Sequence, residues 1–136
     1  MKNLYSILSA LLIVFTISSA SCQTPQKNTE EVTSTMDVKS YKEMLDNNKG
    51  VLLDVRTPEE FSEGHIPGAI NIDYNAENFK SEIEKLDKSK QYNVYCRSGR
   101  RSAAAMEMME QSGFNKVINL EGGILGWQEA GYEVKK

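Results

Sequence analysis

Apolar positions change their period along this chain, and the changes mark out its elements. Val51-Leu52-Leu53-Asp54-Val55 is a short apolar run of the kind that fills a strand buried on both faces, and Ala69-Ile70-Asn71-Ile72, Tyr92-Asn93-Val94-Tyr95 and Lys116-Val117-Ile118-Asn119 repeat the signal. Between them apolar residues recur at helical spacing. Asp37 is placed to cap a helix carrying Val38, Tyr41, Met44 and Leu45, which stops at Asn47-Asn48-Lys49-Gly50. Thr57-Pro58-Glu59-Glu60 starts a short helix with proline in its first turn. Glu77 to Leu86 turns Phe79, Ile83 and Leu86 inward, Ser102 to Ser112 ends at Gly113, and Gly122 to Ala130 is closed by Gly131. Strands alternating with helices predict an α/β fold, a small parallel β-sheet flanked by helices on both faces. Sites in such sheets lie beyond the carboxyl ends of the strands.

The first residues follow another pattern. Lys2, a mostly apolar stretch from Leu4 to Ile17, and then Ser18, Ser19, Ala20 and Ser21 have the layout of a secretory signal. Ser6, Ser9 and Thr16 dilute the stretch, which falls short of the roughly 20 apolar residues of a membrane span. Residues 1–21 are therefore read as a signal peptide. Residues 23–35 are polar, contain Pro25 and have no apolar period, so 22–36 reads as a flexible tether, and 37–136 as one domain.

Composition narrows the function. Of 136 residues 40% are apolar and 26% charged, which fits an ordinary globular core and not a multi-span membrane protein. The net charge is -3, and without residues 1–21, whose one charge is Lys2, it becomes -4, which gives no reason to expect a nucleic-acid partner. Two cysteines are too few for a disulfide framework.

Cys96 is the candidate for chemistry. Cys96-Arg97-Ser98-Gly99-Arg100-Arg101-Ser102 joins the end of a predicted strand to the start of a helix, so backbone N–H groups converge there. Those amides, the helix dipole and the guanidinium groups of Arg97, Arg100 and Arg101 are expected to favour the thiolate, the reactive form of cysteine.

This loop resembles the active-site loop of rhodanese domains, in which Cys and Arg are separated by four residues. Three further segments match in order: Leu53-Asp54-Val55-Arg56 with Glu59-Glu60-Phe61; Gly64-His65-Ile66-Pro67-Gly68-Ala69-Ile70-Asn71; and Gly122-Gly123 with Trp127 and Gly131-Tyr132. The resemblance spans roughly residues 37–135. It implies a sulfurtransferase that moves sulfane sulfur from thiosulfate or a persulfide donor to a thiol or cyanide-like acceptor through a persulfide on Cys96, with no other cofactor and no metal. The amides of Arg97, Ser98, Gly99, Arg100 and Arg101 would hold the persulfide, and the guanidinium groups of Arg97, Arg100 and Arg101 an anionic donor. In many members Asn or Thr stands where Arg100 is, and the extra charge is expected to favour anionic donors. Asp54 and Arg56 would frame the pocket, and two residues apart at a strand end they also read as a structural ion pair that anchors the neighbouring loop. A non-turnover carrier that relays sulfur to a protein acceptor at a membrane is the alternative. Cysteine-dependent phosphatases of related architecture have a loop one residue longer, suited to a tetrahedral phosphate.

Ser19-Ala20-Ser21-Cys22 resembles a bacterial lipobox, with Ser19 where Leu is more usual. It implies diacylglycerol attachment at Cys22 and a lipoprotein held in the periplasm or cell envelope, conventional cleavage near Ala20 being the alternative. Two acyl chains suffice for stable anchoring.

Plainer roles are expected elsewhere. His65, the single histidine, lies in a Gly-Pro-bounded turn and reads as structural. Met106, Met108 and Met109 read as helix packing in preference to a copper site, and Trp127 as a core anchor.

Overall fold

Five parallel strands hydrogen-bond side by side in the computed structural model, which describes residues 32–47 and 49–136. In chain order the elements are β1 (Val32–Met36), α1 (Val38–Asp46), β2 (Val51–Asp54), α2 (Pro58–Glu63), β3 (Ile70–Asn71), α3 (Phe79–Glu84), β4 (Gln91–Tyr95), α4 (Arg100–Gln111), β5 (Lys116–Leu120) and α5 (Gly123–Glu129). The strand order is β1-β5-β4-β2-β3, and every neighbouring pair is parallel. The α/β architecture read from the alternating pattern is the one observed.

The strands bury both faces, which is why they read as nearly continuous apolar runs. Leu53, Val55, Tyr92, Val94 and Val117 pack with Phe79 and Ile83 of α3 and Ala105 and Met109 of α4. Leu52, Tyr95, Ile118 and Leu120 pack on the other face with Tyr41 of α1 and Ile124 and Trp127 of α5. Met106 and Met108 lie against the first of these cores, and the Trp127 indole N–H donates to the Glu133 carbonyl at 2.8 Å. Helix starts follow the local sequence. The Asp37 carboxylate accepts from the amides of Lys39 and Ser40, and Thr57 and Glu60 form a reciprocal capping box on α2.

One boundary differs from the sequence reading. Val32–Met36, assigned to the tether, is an edge strand whose residues pair with Lys116–Leu120. Val32 and Met36 pack toward α1 and α5, while the Thr33 hydroxyl donates to Glu110 of α4. With one side of the strand packed only partly, its sequence shows no continuous apolar run, so β5 and not local pattern specifies it. The predicted signal peptide, Cys22 and the rest of the tether lie outside the described residues.

The connections carry the chain from β2 outward to β3, then back across to β4 and on to β5. The carboxyl ends of β2 and β4 therefore flank the point where the winding reverses, the usual place for a site in an open α/β sheet. Asp54 ends β2, and Cys96 follows β4.

Candidate active site

The Cys96 thiol sits at the floor of a tight turn. Gly99 N–H points at its Sγ from 3.1 Å and the Ser102 hydroxyl from 3.4 Å. Gly99 has φ 99°, a conformation that glycine adopts without strain, and α4 begins at the next residue. Burial of the thiol is the largest single influence on its ionisation and opposes it. The Ser102 hydroxyl and the amides of Ser102, Gly99 and Ser98 together outweigh that burial, so the Cys96 pKa falls below its ordinary value. The depressed thiol pKa expected from the sequence is thus present, but hydrogen bonds lead it where arginine charge was expected to share the work.

Ser102 was missed as a site residue because its role depends on a helical turn returning its hydroxyl to a sulfur six residues back. Its Oγ also lies 3.1 Å from the Gly99 carbonyl, which already accepts from Ala103 N–H. Ser102→Ala is therefore expected to raise the Cys96 pKa and slow alkylation several-fold at neutral pH, the gap closing in alkali. Rates of iodoacetamide alkylation against pH measure this, and superimposable profiles would show the hydroxyl to be idle.

The far side of the turn is gripped by α5. Ile124 N–H donates to the Cys96 carbonyl at 2.9 Å and Leu125 N–H to the Arg97 carbonyl at 3.2 Å. This approach needs Gly123, where a Cβ would stand 2.5 Å from both carbonyl oxygens.

Asp54 and Arg56 form the ion pair anticipated from the sequence. The buried Asp54 carboxylate accepts from Arg56 N–H at 2.9 Å, Nε at 2.9 Å and Nη2 at 2.6 Å, and Nη2 also donates to the Gly64 carbonyl at 2.7 Å. Arg56 is thereby fixed as a wall of the adjoining cleft.

Arg101 departs from its expected role as an anion ligand. Its two terminal nitrogens each reach a Glu60 carboxylate oxygen at 2.8 Å, a bidentate pair that ties α4 to α2 across 41 residues. Glu60 has a second duty, since one of its oxygens accepts Thr57 N–H in the capping box at 3.1 Å. Arg100 is exposed at the first position of α4 and does not line the cleft.

The Arg101 guanidinium, aided by the Thr57 amide, holds the Glu60 carboxyl down from the usual 4.5 to about 2, against some desolvation. A carboxyl depressed on folding contributes its full stability above pH 4.5 and loses it as pH falls from there toward 2. With the Arg101 and Glu60 side chains 23% and 26% exposed, solvent screening reduces the contribution to about 1–2 kcal/mol. Glu60→Gln is expected to lower stability by that amount at neutral pH and to flatten this part of the acid profile. Urea midpoints from pH 7 to pH 2 check it.

A cleft of about 250 Å³ opens beside the turn, with Arg56, Glu60, Glu63, Arg97, Leu125 and Gln128 on its walls. Cys96 is only 1% exposed and is not on that wall, although Arg97 follows it directly in the chain. His65 is turned to structure, its ring stacked on Phe61 at 3.9 Å and its backbone bridged to Lys135. Among the described residues there is no cluster of His, Cys, Asp or Glu that could hold a metal ion.

A buried cysteine in a turn of amides that favour its anion, set at the winding reversal of a parallel sheet, is the chemical feature this α/β domain presents. Comparison with known proteins names the class. Residues 37–130 match the model of the rhodanese-like domain. A protein of Allochromatium vinosum named sulfurtransferase is 34% identical over 100 residues, covering 73% of this chain and 92% of its own. The crystal structure of a rhodanese-related protein from Thermoplasma volcanium superposes with a TM-score of 0.68 at 36% identity, over 76% of this chain and 98% of that one. A rhodanese-like domain protein from Staphylococcus aureus gives 0.64 at 31%, over 76% and 100%. The chain belongs to the rhodanese-like family, and sulfur transfer is the general kind of activity that this membership supports.

Proposed function

We propose that the protein moves sulfane sulfur from thiosulfate or a persulfide donor to a thiophilic acceptor through a persulfide on Cys96. The observation that carries this reading is the Cys96 Sγ held at 3.1 Å from Gly99 N–H, with Ser102 and further amides favouring its anion. The Cys96 thiolate attacks the outer sulfur of the donor. The donor's S–S bond breaks with its electron pair on the leaving group, which is sulfite when thiosulfate is the donor. The acceptor then attacks the outer sulfur of Cys96–S–S⁻, and the thiolate returns as leaving group. Neither half-reaction needs a neighbouring base, in keeping with a histidine occupied by Phe61 and the Lys135 backbone. Loading also extends the reactive atom by about 2 Å, one S–S bond, beyond a recessed thiol.

Transfer through one covalent intermediate implies ping-pong kinetics. Initial rates with thiosulfate and cyanide, both varied, are expected to give parallel double-reciprocal lines. Intersecting lines would require donor and acceptor to bind together and would overturn the scheme. A single burst without turnover would instead favour a carrier relaying sulfur to a protein.

The address belongs to the same proposal. The signal-like residues 1–21 and the run Ser19-Ala20-Ser21-Cys22 support export and lipid anchoring through Cys22 in the cell envelope.

A further inference from the structure

We infer that the cleft adjoining the Cys96 turn, into which the outer sulfur of a loaded Cys96 would extend, selects a small zwitterionic thiol, one carrying both an ammonium and a carboxylate, with Arg97 taking the carboxylate and Glu63 the ammonium. The inference rests on the sulfur transfer proposed above and names its acceptor class.

Four charged side chains stand on the walls, two of each sign. Arg56 is committed to Asp54 and the Gly64 carbonyl, and Glu60 to Arg101 and the Thr57 amide. Among the described residues, that leaves Arg97 and Glu63 without an ion pair or a side-chain hydrogen bond, one cation and one anion. Both are exposed. For a dianion such as thiosulfate the two uncommitted charges cancel, since it would gain Arg97 and face Glu63. The pair suits a ligand that presents one charge of each sign. Leu125, exposed at the same mouth, gives its carbon skeleton an apolar contact. The cleft's 250 Å³ falls just below the range, from about 300 Å³, of pockets for drug-sized ligands, which points to a molecule of amino-acid size.

In the step itself the acceptor thiolate attacks the outer sulfur of Cys96–S–S⁻. A new S–S bond forms to the acceptor, the bond to Cys96 breaks, and its electron pair stays on Sγ. The sulfane sulfur changes partner, so no external oxidant or reductant is consumed.

The test loads the full chain with sulfur from thiosulfate or, where that fails, from an organic persulfide, removes excess donor, and follows single-turnover loss of the Cys96 persulfide to three thiols at equal thiolate concentration. L-cysteine carries both charges, cysteamine lacks the carboxylate, and 3-mercaptopropionate lacks the ammonium. Cysteine is expected to react about tenfold faster than either, the effect of one charge-assisted hydrogen bond. Arg97→Gln is expected to erase its advantage over cysteamine alone, and Glu63→Gln its advantage over 3-mercaptopropionate alone. Equal rates for the three thiols with wild-type protein, or variants that slow all three alike, would overturn the selection while leaving sulfur transfer intact. Absence of a persulfide at the loading step would overturn both.

Discussion

Cys96→Ser is expected to reduce sulfur transfer below detection and to leave folding stability within about 1 kcal/mol of wild type. The two expectations have separate causes. Serine is close in shape to cysteine, and its oxygen can still accept the Gly99 amide that now points at Sγ. The site is small, closed and already hydrogen-bonded, so little is lost from the core around Val94, Ala105 and Met109. The chemistry fails because an alcohol ionises far less readily than a thiol, and because oxygen does not form a reversible sulfane bond. A thermal melt and the thiosulfate-to-cyanide assay, run on the same preparation, separate these effects. Appreciable transfer by the folded variant would assign the reaction to another group.

Gly123→Ala is expected to damage both stability and activity. The residue has φ 59°, and its Cβ would lie 2.5 Å from the carbonyl oxygens of Cys96 and Arg97, so backbone must move. Left-handed strain and overpacking together cost about 3–5 kcal/mol, a substantial share of the 5–15 kcal/mol typical of a domain. For a domain of this size the melting temperature should fall by about 12 °C or more. The movement would also pull Ile124 and Leu125 off the carbonyls they hold, disturbing the turn that presents Gly99 to the sulfur. Transfer activity is therefore expected to drop further than stability alone explains at temperatures where the variant remains folded. Gly126→Ala is the comparison. That glycine is helical, and its nearest neighbour, the Glu121 carbonyl, stands at an ordinary 3.6 Å, so alanine there should be neutral or slightly stabilising.

The contrast between these glycines shows where sequence reading ends. Four of the strands and the Cys96 turn were legible because buried parallel strands are short apolar runs and because a cysteine between strand and helix has a local signature. Val32–Met36 was not, since an edge strand takes its register from Lys116–Leu120 and this one carries three consecutive polar residues, Thr33, Ser34 and Thr35. The arginines were visible as charge, but their partners were not. Arg101 meets Glu60 only after α2 and α4 have packed on the sheet, and that meeting converts an expected anion ligand into a tie between helices. Likewise the sequence pairs Gly122 with Gly123 as a motif, while the need for glycine at 123 comes from the close approach of α5 to the Cys96 turn. Asp54 and Arg56, two residues apart at a strand end, were readable as a pair because their contact is local.

In the proposed reaction sulfur resides covalently on Cys96 between donor and acceptor. Intact-mass analysis of the protein after brief exposure to thiosulfate or an organic persulfide, followed by peptide mapping without reductant, tests it most directly. The expected result is a gain of one sulfur atom, located on the peptide containing Cys96, that disappears on adding cyanide. An unchanged mass during active transfer, or added sulfur located elsewhere with Cys96 a free thiol, would contradict it.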